Sequence, residues 1–76
     1  MELKEFIGNF ADLFEDVEKS VFKPETKFRD IEGWSSLAVL FIIGMVDEKY
    51  KVKIKGDDIQ KSETIGDLFK IVNTRI

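Results

Sequence analysis

Gly33-Trp34-Ser35-Ser36-Leu37-Ala38-Val39-Leu40-Phe41-Ile42-Ile43-Gly44-Met45-Val46-Asp47-Glu48-Lys49-Tyr50 carries an unbroken apolar run at residues 37–43. A run of that kind suits a buried strand as well as a helix. Its length, the absence of Pro and the continuation Met45-Val46-Asp47-Glu48 predict a helix from Ser36 to about Tyr50, against the weaker propensity of β-branched Val39, Ile42 and Ile43. Val39, Ile42, Ile43, Val46 and Tyr50 then share one helical face at spacings of three, four, seven and eleven. Leu37, Leu40, Phe41 and Gly44 fall on or near a second face. Two apolar faces mean either a wholly buried helix or one that keeps a side for a partner.

The start of this helix holds two hydroxyls, Ser35 and Ser36. Ser is a common N-cap residue, and capping alone accounts for such a position. A first helical turn also exposes unpaired backbone N–H groups and a partial positive charge, so an anionic group attached there is favoured over most surface positions.

Upstream, Leu3, Phe6, Ile7, Phe10, Leu13, Phe14 and Val17 recur at spacings of three and four and predict a first helix that stops near Ser20, ahead of Pro24. The segment 21–35 is longer than most connections, and Phe22, Phe28, Ile31 and Trp34 predict that it is ordered and lies over the helices. Each of these side chains contributes roughly 1.5–3 kcal/mol when fully buried, which offsets part of the ordering entropy.

Downstream, residues 49–55 alternate Lys with Tyr50, Val52 and Ile54; with no second strand to pair with, this reads as an extended linker whose Val52 and Ile54 tuck inwards. Gly56-Asp57-Asp58-Ile59-Gln60 reads as a turn or a single helical turn with solvated capping carboxylates, since it lacks the ligand pattern of a calcium loop. Thr64-Ile65-Gly66-Asp67 resembles a helix start with Asp67 in the capping-box position, and Ile65, Leu68, Phe69, Val72 and Ile76 continue a helical stripe. The expected fold is all-α: a small bundle of three main helices plus one short helical turn, with a long ordered loop between helices one and two.

Composition narrows function. The chain has 76 residues, no Cys and no His, which removes disulfide staples, the usual zinc ligands and the usual general base at neutral pH. No metal site is expected, and an independent enzyme is disfavoured. The net charge of −3 argues against nucleic acid as a partner. It is concentrated in residues 1–33, which carry −4, while residues 34–76 carry +1. No apolar run approaches a bilayer-spanning length, so stable membrane insertion is not expected and a cytoplasmic location is.

The chain resembles the acyl carrier proteins, the phosphopantetheine-bearing carriers of fatty acid and polyketide synthesis. The likeness runs over nearly the whole length: the first helix, the approach from Phe28-Arg29-Asp30-Ile31 to Trp34, the Ser36-Leu37 pair, the acidic end Asp47-Glu48, and Thr64-Ile65-Gly66-Asp67-Leu68. The resemblance implies one carrier domain over residues 1–76, a monomer, that holds acyl intermediates as thioesters on a 4′-phosphopantetheine arm. Coenzyme A is the donor, a phosphopantetheinyl transferase the modifying enzyme, and acyl-transferring and acyl-modifying enzymes the later partners. It implies Ser36, the Ser before Leu, as the attachment point, and Leu37, Leu40, Phe41, Gly44, Asp47 and Glu48 as the partner-binding surface. Two departures stand out. Ser35 occupies the position of the family's usual Asp, preserving a helix cap while removing a negative charge, and Ala38 and Phe41 are apolar where many members carry acids. The competing expectation from the residues is an unmodified helical interaction module in which Ser36 only caps.

Overall fold

The computed structural model describes residues 2–76. Four helices follow in order: α1 (Leu3–Ala11), α2 (Ser36–Tyr50), α3 (Gly56–Gln60) and α4 (Ile65–Asn73), with 3₁₀ turns at Lys19–Val21 and Phe28–Asp30 in the crossover. Among the described residues there is no strand, only a single antiparallel bridge between Lys27 and Thr64. The all-α reading and the linker reading of residues 49–55 hold, with Val52 and Ile54 buried and Lys51, Lys53 and Lys55 exposed.

The first helix is shorter than its apolar stripe predicts, ending at Ala11 rather than near Ser20. Beyond Asp12 the chain tightens into three-residue turns: Leu13 N–H donates to Phe10 O (3.1 Å), Phe14 N–H to Ala11 O (3.0 Å) and Val17 N–H to Phe14 O (3.2 Å). Asp12, Glu15, Asp16 and Glu18 would oppose the macrodipole at the C-terminal end of a longer helix. Phe14 is nevertheless buried, so the spacing reports burial correctly and helix length incorrectly.

Phe10, at the last turn of α1, is the hub of the core. Its ring lies 6.5 Å from Phe6, 5.7 Å from Phe14, 6.3 Å from Phe22 and 6.0 Å from Phe28. From Phe28 the contact continues to Trp34 at 5.2 Å, and from Phe6 to Phe69 of α4 at 5.7 Å and Tyr50 of α2 at 5.9 Å. Asn9 Nδ2 donates to the Tyr50 hydroxyl (2.7 Å), and burial pushes that phenol's pKa up. The crossover is ordered by these rings and by backbone stitches to the start of α4. Phe28 N–H donates to Glu63 O (3.3 Å), Ile65 N–H to Thr26 O (3.1 Å) and Gly66 N–H to Pro24 O (2.8 Å). A Cβ on Gly66 would sit 3.0 Å from Pro24 O, so this close approach selects glycine.

On α2 the buried stripe is Ala38, Ile42, Met45 and Val46, with Val39, Ile43 and Tyr50 half-buried at its flanks. The predicted face is thus rotated slightly, so that Ala38 and Met45 enter the core and Ala38 does not belong to the exposed surface. The helix ends on Lys51 in the left-handed conformation, its N–H donating to Asp47 O (3.0 Å).

The α4 cap is as predicted: Asp67 N–H donates to Thr64 Oγ1 and Thr64 N–H to Asp67 Oδ2, both at 3.1 Å. Ile76, by contrast, lies beyond the helix and is exposed. Asp58 also departs from expectation. It caps α3 through Lys55 N–H (2.9 Å) but is buried, held by a two-pronged pair with Arg75 at 2.8 and 2.7 Å. Arg75 folds the chain end back from α4 onto α3, a contact separated by 17 residues that no local pattern announces.

The Arg75 guanidinium and the Lys55 N–H hold the Asp58 carboxyl at about 2, below its usual 3.8. A depressed carboxylate pKa contributes stability that is complete above the unfolded value and lost as pH falls through the folded one. Thermal melts of the wild type are therefore expected to fall in midpoint between about pH 5 and 2. In Asp58→Asn the neutral-pH midpoint drops and that acid slope becomes shallower, with the remaining slope coming from the lowered carboxyl of Asp67.

Candidate functional site

The site is assembled where the crossover meets α2. Gly33 adopts a positive φ of 88°, which lets the chain turn after Ile31 while Trp34 N–H donates back to Ile31 O at 3.1 Å. Trp34 is half-buried against Phe28 and Phe14, so the residue just before the serines is anchored in the core. Ser35 is the extended N-cap residue of α2, and its carbonyl accepts the first bond, from Ala38 N–H (3.0 Å).

The Ser35 side chain makes no cap hydrogen bond. The predicted capping residue therefore holds the right position without the expected contact, and Trp34 and the Ser35 carbonyl set the start of the helix instead. Ser36 is the first residue of α2 and is exposed. Its hydroxyl stands on a first turn that contains no acidic residue, beside backbone N–H groups that have no acceptor within the helix. An exposed serine, a positive dipole end and a first turn without acids together fit a covalently attached phosphodiester.

Leu37, Leu40 and Phe41 are 59%, 62% and 55% exposed, and Gly44 completes the strip one turn further on. The strip runs into an open groove of about 390 Å³ between α1 and α2, where Leu40, Phe41 and Gly44 face Asn9 and Leu13. Asp47 and Glu48 are exposed near the end of α2, and the Asp47 carboxylate lies 3.8 Å from Lys53 Nζ, a loose surface pair. The structure thus brings the six sequence-derived surface residues onto one exposed side, apolar at the start and acidic at the end. Among the described residues, no cluster of three or more His, Cys, Asp or Glu could hold a metal ion.

A second open groove, of about 380 Å³, runs on the other side of α2 between Trp34 and Val39 and the short α3, where Ile59 and Gln60 line it. Arg29 spans it. Its guanidinium donates to Ser62 O (2.8 Å), Ile59 O (2.8 Å) and Gln60 O (3.0 Å) and lies 5.0 Å from the centre of the Phe28 ring. Sequence reasoning missed Arg29, because a base in a charged loop carries no signal of the carbonyls it will meet 30 to 33 residues later.

No protein-family model matches the chain. It is 34% identical over 68 residues, 86% of its length, to the meromycolate extension acyl carrier proteins of Mycobacterium tuberculosis (strain ATCC 25618 / H37Rv), Mycobacterium leprae (strain TN) and Mycolicibacterium aurum. The match spans 59% of the two Mycobacterium proteins and 70% of the Mycolicibacterium protein.

The unequal caps of α2 and α4 set up a direct comparison. Thr64→Ala removes a bonded cap and is expected to cost about 1 kcal/mol in denaturant unfolding, whereas Ser35→Ala, which removes no cap bond, is expected to cost less than about 0.5 kcal/mol.

Proposed function

This chain belongs to the acyl carrier protein family, a family of carriers rather than enzymes, and we propose that it carries acyl groups on a 4′-phosphopantetheine arm attached to Ser36. The observation that carries the reading is the exposed Ser36 hydroxyl on the first, acid-free turn of α2. The group supplies a long flexible tether ending in a thiol, on which an acyl chain rides as a thioester. The protein's part is to present the alcohol, steady the phosphodiester at the helix end, and offer a docking surface. Tethering raises the local concentration of the carried group at each partner it visits. The donor is coenzyme A, and the arm is installed by a phosphopantetheinyl transferase. The later partners are acyl-transferring and acyl-modifying enzymes of fatty acid or polyketide-type synthesis, met by a monomer in the cytoplasm; no described helix is long and apolar enough to cross a membrane.

Leu37, Leu40, Phe41 and Gly44 form the apolar part of the docking surface, with Asp47 and Glu48 as its acids. A patch this modest suits brief encounters, since a carrier must leave each partner within a catalytic cycle. Ser35 in place of the family's usual Asp removes a charge beside the attachment point and slows modification by transferases that recognise it.

Intact-mass measurement after incubation with coenzyme A and a phosphopantetheinyl transferase tests the assignment. One phosphopantetheine is expected on the wild type and on Ser35→Ala, and none on Ser36→Ala. No addition by several broad-specificity transferases would leave the exposed strip on α2 as the surface of an unmodified interaction module. In the surface assignment, Phe41→Glu is expected to shift the thermal midpoint by no more than about 2 °C while weakening docking to an acyl-transferring partner at least tenfold; a large loss of stability would place Phe41 in the core.

A further inference from the structure

We propose that Arg29 is a positioning residue: its guanidinium latches α3 across the groove that reaches to within one helical turn of Ser36 and sets how far that groove opens to a group carried there. The sense of "carried" rests on the carrier reading above, while the latch itself stands on geometry alone.

Helix α3 is five residues long, too short to hold itself in water. Ile59 is its single buried apolar side chain. Its position against α2 and α4 therefore leans on polar contacts of its own residues, and among the described residues two side-chain clasps reach it from other elements. The Asp58–Arg75 pair ties its buried side to the chain end after α4. Arg29 ties its C-terminal end to the crossover through the carbonyls of Ile59, Gln60 and Ser62. Carbonyls at a helix end lack an intrahelical donor and accept cations readily; Ile59 O, which also accepts from Ser62 N–H (3.1 Å), uses its second lone pair for Arg29.

The two ends of the Arg29 clasp lie on opposite walls of the groove. Arg29, Trp34 and Val39 form one wall, and Gly56, Ile59 and Gln60 belong to the other. Val39 is three residues, less than one helical turn, beyond Ser36. The guanidinium has a firm base, resting 5.0 Å from the ring centre of Phe28, which is fully buried and in contact with Trp34. On either side α3 is joined by irregular chain anchored at a distance, by buried Val52 and Ile54 before it and by Phe28 N–H donating to Glu63 O (3.3 Å) after it, so α3 can shift between these anchors without unwinding α2 or α4. With the Arg29 clasp broken, α3 keeps buried Ile59 and the Asp58–Arg75 pair, but its C-terminal end loses its side-chain tie to the crossover and loosens.

Amide hydrogen exchange on the unmodified full chain tests this, comparing wild type with Arg29→Met and Arg29→Lys. In Arg29→Met the amides of residues 59–62 are expected to exchange at least tenfold faster, while those of Phe10 and Leu68 change by less than about twofold. Trp34 becomes more readily quenched by acrylamide in the same variant. Arg29→Lys falls between, because one ammonium cannot serve three carbonyls, and it supplies the readout should Arg29→Met fail to fold. Unchanged exchange in α3, or a uniform increase across all helices, would overturn the latch. The carrier reading fails separately, by absence of mass addition at Ser36.

Discussion

The Phe10 ring ties the last turn of α1 to the crossover and so fixes where the crossover lies. It packs on Phe6 within its own helix and on Phe22 and Phe28 in the crossover, and Phe28 passes the contact to Trp34. A 76-residue chain without Cys has no disulfide to staple it, and small domains bury a smaller share of their surface than large ones. Aromatic side chains remove the most area per residue from water, and paired rings add about 0.5–1.5 kcal/mol beyond it. The site inherits its position from this line of rings, because Trp34 is its last member and the serines follow directly.

Polar contacts finish what the rings begin. The crossover runs beside the first residues of α4, and three backbone hydrogen bonds there bring Pro24 O to 3.0 Å from where a Cβ on Gly66 would sit. The start of α2 consequently needs no side-chain cap: Ser35 is placed by Trp34 on one side and by its own carbonyl on the other. Both hydroxyls are thereby released from structural duty, which is the condition under which one of them can serve as an attachment point.

The elements with strong local signals were legible in the sequence. Helix α2 begins and ends where the apolar run and the serines place it, and the Thr64–Asp67 box caps α4 as its spacing suggests. Period alone set Leu37, Leu40, Phe41 and Gly44 on a second face of α2 but left open whether that face was buried; the structure exposes it. Failures arose where burial and helix diverge, or where partners are remote. Leu13, Phe14 and Val17 keep helical spacing while sitting in turns, because hydrophobic period registers which side chains face the core and not which backbone carries them. Asp58 reads as a solvated cap until Arg75 arrives from the chain end, and nothing in the residues around Arg29 announces the carbonyls at the end of α3 that it meets.

Helix α2 breaks two local rules together. It exposes three large apolar side chains at its start, and it places Asp47 and Glu48 near its C-terminal end, where acids oppose the macrodipole and Lys49 and Lys53 offset them only in part. Neither feature strengthens the isolated chain, and both lie on the side of α2 turned away from the core. Residues that violate local consistency without an internal gain mark a surface shaped by something outside the fold. Under the carrier reading that something is a succession of enzymes, each needing an apolar contact close to the tether and a charged contact further along to set orientation. The division of α2 into a tether end, an apolar strip and an acidic end follows the order in which those demands arise along its axis.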